Sequence, residues 1–271
     1  MAKIESLSHV GVFVRDQKKA KDFYTKKLGL AVRSSMPKMG YLALGATKGG
    51  KDASLNLWQP TPETWGDDYD NVAKQIGGIT GIGFLTTNLE KTIETLRSKG
   101  VKVDPPQEET GGMASIHDPD DNIVFLFEAP KPKVRRAGLR SLEFVTIASR
   151  DADRAGEFFT KTLGMKGKKL PQEGMTEYRL SREGTAILPF TPTRDFYADE
   201  KAYEEDLAHI GEFTSIVFST KGIRGVQDQL ESRGVRFRQK AKETEWGGMD
   251  AEFLDPDENR YTLMQEIPEN E

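Results

Sequence analysis

The sequence predicts an α+β protein built from four βαβββ units, and two observations carry that prediction. Segments of the N-terminal half return in the C-terminal half in the same order, and a strand–helix–strands scheme occurs twice in each half. Phe23-Tyr24-Thr25-Lys26-Lys27-Leu28-Gly29-Leu30 reappears 135 positions later as Phe158-Phe159-Thr160-Lys161-Thr162-Leu163-Gly164-Met165. Leu96-Arg97-Ser98-Lys99-Gly100-Val101 recurs 134 positions later as Leu230-Glu231-Ser232-Arg233-Gly234-Val235. Gly111-Gly112-Met113 and Asp118-Pro119-Asp120-Asp121-Asn122 match Gly247-Gly248-Met249 and Asp255-Pro256-Asp257-Glu258-Asn259. A near-constant spacing over three ordered segments is the mark of a duplicated structural unit.

Each element follows from local pattern. Val10 to Val14 is a short apolar run, read as a strand, and Arg15-Asp16-Gln17 is a polar turn. The helix that follows places Ala20, Phe23, Tyr24 and Leu28 on one face, at helical spacing. Gly29 ends it as a glycine C-cap does. A β-rich stretch including Ala53 to Trp58 completes the unit. The second unit repeats the scheme with a strand at Ile82 to Thr86, a helix at Leu89 to Ser98 closed by Gly100, and a strand at Ile123 to Phe127 after the Asp-Pro-Asp turn. Pro60 to Gly78 and Pro192 to Gly211 are connectors within the halves, each with some helical character. Pro130-Lys131-Pro132-Lys133 reads as a stiff, charged linker. The expected domains are therefore residues 1–130 and 138–271, joined by 131–137.

Bulk properties narrow the partners. The chain has 271 residues and a net charge of −4, without the basic excess of a nucleic-acid-binding domain. No apolar run approaches the length of a membrane span. The N-terminus lacks the apolar region of a secretory signal. There is no cysteine, which excludes disulfides and thiolate metal sites. The expectation is a cytoplasmic protein, monomer or homodimer, with a small-molecule ligand and neither nucleic acid nor membrane as partner.

The two Phe-Tyr/Phe-Phe…Leu-Gly motifs, the two Asp-Pro-Asp turns and Trp246-Gly247-Gly248 resemble the vicinal oxygen chelate superfamily. That group includes glyoxalase I, bleomycin-resistance proteins, methylmalonyl-CoA epimerase and extradiol dioxygenases. The resemblance covers nearly the whole chain and implies two glyoxalase-like domains, with curved mixed sheets and helices on the outer face. It also implies a cup where the group's enzymes hold a divalent metal, and eight positions where ligands would stand. These are His9, Asn56, Gly81 and Phe125 in the first half, and Phe144, Leu188, Ser215 and Thr262 in the second. Only His9 is a strong donor and Asn56 a weak one, whereas a catalytic divalent site needs about three. The expectation is no metal and no cofactor. Gln59 and Glu128 look like ligands but should be strand-end residues in solvent. His117 occupies the place of Leu254 and reads as a packing residue; His209 should be exposed.

With its metal positions filled otherwise, the N-terminal cup should be a lined pocket. Strand alternation sends His9, Gly11 and Phe13 to one face, with Ser54, Asn56 and Trp58, and Ile123, Phe125 and Phe127, on their own strands. His9, Phe13, Asn56, Trp58, Phe125 and Phe127 are the expected ligand-binding residues, a mostly aromatic lining with few polar groups. The corresponding C-terminal surface carries Phe144, Leu188, Phe190, Ser215, Arg260, Thr262 and Met264. The leading expectation is a metal-independent protein of the bleomycin-resistance type that binds an aromatic or hydrophobic small molecule. A glyoxalase-, epimerase- or dioxygenase-like enzyme with a metal near His9 is one alternative. A structural or interaction protein with closed cups is the other.

Overall fold

The computed structural model describes residues 3–106, 112–128, 137–170, 175–197 and 200–266. The expected 131–137 linker lies outside them, except for Ala137. The first module holds β1 (Ser6–Phe13), α1 (Gln17–Asp22), β2 (Ala31–Met36), β3 (Tyr41–Gly45) and β4 (Ser54–Trp58). Two short helices follow, α2 (Pro62–Trp65) and α3 (Tyr69–Lys74). The second module holds β5 (Gly78–Thr86), α4 (Leu89–Ser98), β6 (Lys102–Asp104), β7 (Ala114–His117) and β8 (Asn122–Glu128). The third comprises β9 (Leu139–Ala148), α5 (Ala152–Glu157), β10 (Lys166–Lys169), β11 (Thr176–Arg179) and β12 (Ala186–Phe190), with α6 (Glu200–Ala208) after it. The fourth comprises β13 (Phe213–Ser219), α7 (Ile223–Ser232), β14 (Phe237–Glu243), β15 (Met249–Leu254) and β16 (Arg260–Gln265). Four βαβββ modules are present, as the repeats predict. No helix among the described residues is long and apolar enough to cross a membrane.

The strands form two mixed sheets, ordered β14-β15-β16-β13-β1-β4-β3-β2 and β10-β11-β12-β9-β5-β8-β7-β6. In each module the first strand would otherwise be an open edge, with unpaired N–H and C=O groups. β5 closes that edge by pairing antiparallel with β9, Ile82 opposite Val145. β1 closes its edge against β13, where Glu5 N donates to Ser219 O and Ser8 Oγ to Val217 O. By contacts the chain divides into two compact units, residues 10–145 and residues 1–9 with 146–271.

The first helix of each half changes pitch. Asp16 caps α1 by accepting from Lys19 N, and Phe23–Lys27 then widen into a π-turn, with Leu28 N donating to Phe23 O. The wider turn lets two consecutive aromatics face inward: Phe23 and Tyr24 are both buried, their rings perpendicular at 5.3 Å. Asp151, Phe158 and Phe159 repeat the arrangement. The repeated Phe-Tyr/Phe-Phe…Leu-Gly pattern is thus a local backbone instruction.

Helix starts are also treated alike in all four modules. The residue just past, or ending, each module's last strand accepts a hydrogen bond from the first turn of that module's helix. Gln59 Oε1 accepts from Gln17 N, Glu128 Oε2 from Leu89 N, Thr191 Oγ1 from Ala152 N and Gln265 Oε1 from Ile223 N. Gln59 is exposed, as expected, and Glu128 is half-buried; both also serve as acceptors, because helix N–H groups lack partners within the helix and recruit them.

The Asp-Pro-Asp turns are small polar cores. Asp118 Oδ1 accepts from Asp120 N and Asn122 N, and Oδ2 from Asn122 Nδ2 and Tyr24 OH. Asn122 also accepts from Gly77 N and donates to Phe13 O, tying the turn to β1. Asp255 and Asn259 repeat this network with Gly211 N and Ala148 O. One donor differs. Phe159 replaces Tyr24 in the second half, and the missing hydroxyl comes from Tyr261 on β16, which donates to Asp255 Oδ2 at 3.1 Å. Burial pushes the Asp118 and Asp255 carboxyls above their usual range, against the hydrogen bonds that pull them down. It pushes the Tyr24 phenol well up too, with help from the Asp118 charge, so the phenol remains a donor.

Candidate functional site

Within the unit of residues 10–145, β4 presents Ser54, Asn56 and Trp58 at alternating positions, hence on one face. Trp58 lies over Gly11 of β1, where a Cβ would fall 2.5 Å from the indole. Its ring stands 5.6 Å from Phe13, and Trp65 of α2 completes the group at 5.2 Å from Phe13 and 5.8 Å from Trp58. Asn56 is 2% exposed, and its Oδ1 is the one sealed side-chain oxygen or nitrogen without a hydrogen-bond partner among the described residues. Such an orphaned acceptor costs about 1–3 kcal/mol, and each one in a native fold calls for an explanation. Ser54, next along this face, accepts from the Arg33 guanidinium. Trp65 was missed in the sequence because the connector's fold brings it in; its only signal was a tryptophan in a polar segment.

In the unit of residues 1–9 and 146–271, His9 is buried and its Nδ1 lies 2.9 Å from Ser8 Oγ. Ser8 Oγ also reaches Val217 O at 3.0 Å, linking His9 to strand β13. Ser215, on the neighbouring strand β13, is 5% exposed and has a left-handed backbone, φ 60°. The β13–β16 register slips there, between Phe213 and Val217. Thr262 lies on β16 beyond it. His9, Ser215 and Thr262 thus occupy three consecutive strands.

The other sheet separates the remaining expected residues from these. Phe125 and Phe127 lie on β8, beside β5 and not beside β1 or β4. Phe127 packs on Phe144 of β9 at 5.4 Å, and the Phe144 ring covers Gly83 where a Cβ would stand. Of the expected ligand-binding residues, His9, Phe13, Asn56 and Trp58 lie on strands of one sheet and Phe125 and Phe127 on a strand of the other. The physical reason is strand pairing, since β1 takes β13 and β5 takes β9 as partner. Three of the metal-position residues, Gly81, Phe125 and Phe144, fall together as an apolar group in the unit of residues 10–145.

Two charged clusters were not foreseen. Arg33, its side chain 10% exposed, pairs with Asp52 at 2.6 Å and also donates to Thr47 O, Asp52 O and Ser54 Oγ. Asp52 Oδ2 accepts from Leu142 N of β9. His117 is no mere packing residue: its Nε2 lies 2.6 Å from Asp104 and its Nδ1 2.6 Å from Asp121, with Lys102 beside it. Its hydrogen bonds hold both carboxyls below their usual range. Groups with depressed folded pKa stabilise above the unfolded value, near 3.8, and lose that contribution as pH falls through the folded value. Relative to H117Q, the wild-type urea midpoint should therefore decline more steeply on acidification below about pH 4, the buried aspartates cancelling in the difference. Parallel curves for the two proteins would refute this. His209 is exposed, as expected, and pairs with Glu212.

The metal implied by the resemblance does not fit. Among the described residues no three of His, Asp or Glu are grouped to hold an ion. Where the resemblance places ligands, His9 is followed by an amide, two hydroxyls and apolar side chains.

Comparison with known proteins agrees with the fold. The model of the Glyoxalase/Bleomycin resistance protein/Dioxygenase superfamily matches residues 6–126 and again 141–263. Glyoxalase I from Zea mays is similar in structure, with a TM-score of 0.64 at 18% identity, over 98% of this chain and 92% of that one. A putative dioxygenase from Bacillus subtilis is similar with a TM-score of 0.62 at 13% identity, over 99% of this chain and 87% of that one. At such identities the likeness concerns the fold alone. None of the curated proteins matches the chain.

Proposed function

The chain belongs to the glyoxalase/bleomycin resistance protein/dioxygenase superfamily, and on that basis we propose that it binds a small aromatic or hydrophobic molecule without a metal. The observation that carries this reading is Asn56 Oδ1, buried and unpartnered, on the strand face shared with Trp58. Phe13, Trp58 and Trp65 offer ring surface for a flat ligand, and the orphaned oxygen asks for one N–H or O–H from it. The donor set supports the metal-free part, because one histidine and one amide fall short of the about three ligands a divalent ion requires. Phe125 and Phe127 belong, in this reading, to a second apolar surface with Phe144.

Replacing Asn56 by leucine separates function from stability. A buried polar atom without a partner is better replaced by an apolar one of similar size, so N56L should gain about 1–2 kcal/mol in urea unfolding. Indole, flat and apolar with a single N–H, serves as the probe. It should raise the thermal midpoint of the wild type, as any ligand of the native state must, and not that of N56L. Equal response of both proteins to indole would overturn the assignment of Asn56. One tightly held Ni, Zn, Mn or Fe per chain, in protein purified without chelators, would overturn the metal-free reading.

A further inference from the structure

We propose that β2 (Ala31–Met36) is a self-association edge, where a second copy of the chain pairs antiparallel across a two-fold axis. A strand at the end of a sheet presents unpaired N–H and C=O groups, and proteins guard such edges with lysine, proline or bulges. Among the described residues the two sheets end in β14, β2, β10 and β6. β14 exposes Arg238, Lys240 and Lys242, and β10 exposes Lys166, Lys168 and Lys169. β6 is three residues long, exposes Lys102 and runs into Pro105-Pro106. β2 alone among these strands carries no exposed charge. Its one ionic residue, Arg33, has a side chain 10% exposed and turned onto Asp52.

The rest of the strand is open and uncharged. The register of β2 on β3 slips at Arg33, between Val32 and Ser34. Beyond the slip, Ser34, Ser35 and Met36 pair in step with Ala43, Leu42 and Tyr41, and all three are exposed. Four large apolar side chains are exposed among the described residues, and two of them, Met36 and Met39, end β2 and the turn that follows it. An uncharged edge therefore coincides with half of the exposed apolar side chains.

Charge selects the occupant. Paired with itself, any of the three guarded edges would bring the lysines of two copies together, and like charges on facing strands repel. Ser34-Ser35-Met36 brings none. Antiparallel pairing of a strand with its own copy is self-complementary, so every contact occurs twice, and the methionines of both copies gain apolar cover. So short an edge falls far below the about 20–30 residues a side of a permanent interface, so the dimer should be weak. β2 carries neither Asn56 nor a member of the aromatic group, so the pairing and the ligand reading can fail separately.

Sedimentation equilibrium of the full chain between about 5 μM and 500 μM, the range in which a small interface assembles, tests the pairing. The weight-average mass should rise with concentration toward twice that of one chain. S35K and S35E change an exposed position and should keep the wild-type thermal midpoint. Each alone should stay monomeric, because a charge then meets its own copy across the axis. Mixed in equal amounts they should associate again, since opposite charges now face one another. A wild type that stays monomeric throughout would overturn the proposal. So would undiminished association of S35K, which would place the contact on another surface. Failure of the mixture to associate would show that β2 does not face its own copy, and would overturn it too.

Discussion

Replacing Arg33 with methionine is expected to destabilise the protein by about 3–5 kcal/mol, the effect of leaving a buried charge unpaired. The Arg33 and Asp52 side chains are 10% and 5% exposed, so water cannot replace the lost partner. Arg33 also satisfies three other oxygens, Thr47 O, Asp52 O and Ser54 Oγ, and the chain leaves no space for a Cβ on Gly45 or Gly50 beside the guanidinium. Urea unfolding should show a lower midpoint with an unchanged slope. The double variant R33M/D52N should recover part of the loss, because a neutral amide keeps an acceptor for Leu142 N without stranding a charge. A loss below about 1 kcal/mol in R33M would mean that solvent reaches Asp52 after all.

The second large effect is expected at Asn122. Alanine there removes the acceptor of Gly77 N and the donor to Phe13 O and Asp118 Oδ2 together. Leaving buried partners unmet at about 1–3 kcal/mol each gives an expected loss of about 3 kcal/mol or more. Asn259, which makes the same bonds to Gly211 N, Ala148 O and Asp255, should cost the other unit a similar amount. The two alanine variants, measured side by side by urea unfolding, therefore report on each half in turn. A neutral result at either site would show that the Asp-Pro-Asp turn holds without its asparagine.

These networks also explain what could be read in the sequence. The Phe-Tyr…Leu-Gly and Asp-Pro-Asp-x-Asn motifs are legible because each encodes a structure within a few residues: a widened helical turn, a carboxylate that collects its own turn's N–H groups. The helix Leu89–Ser98 was placed to the residue by periodicity and glycine. Strand order was not legible, since the first strands of all four modules carry similar apolar patterns and any could pair with any other. That ambiguity is why Phe125 was grouped with His9. Arg33 and Asp52 meet across 19 positions with no motif between them. The left-handed backbone at Ser215 did leave a trace, a glycine at the equivalent Gly81, whose φ is 70°.

The relocated phenol at the two polar turns has a consequence for how such duplicated genes can exchange parts. In one half the helix supplies the hydroxyl through Tyr24 and the strand supplies Val124; in the other the helix supplies Phe159 and the strand Tyr261. A hybrid that joined the helix of the first half to the last strand of the second would crowd two phenols onto one carboxylate oxygen. The reverse hybrid would leave that oxygen with none. Each half thus meets the same carboxylate with one phenol from a different element, so helix and last strand must be exchanged together for either turn to keep a single hydroxyl donor.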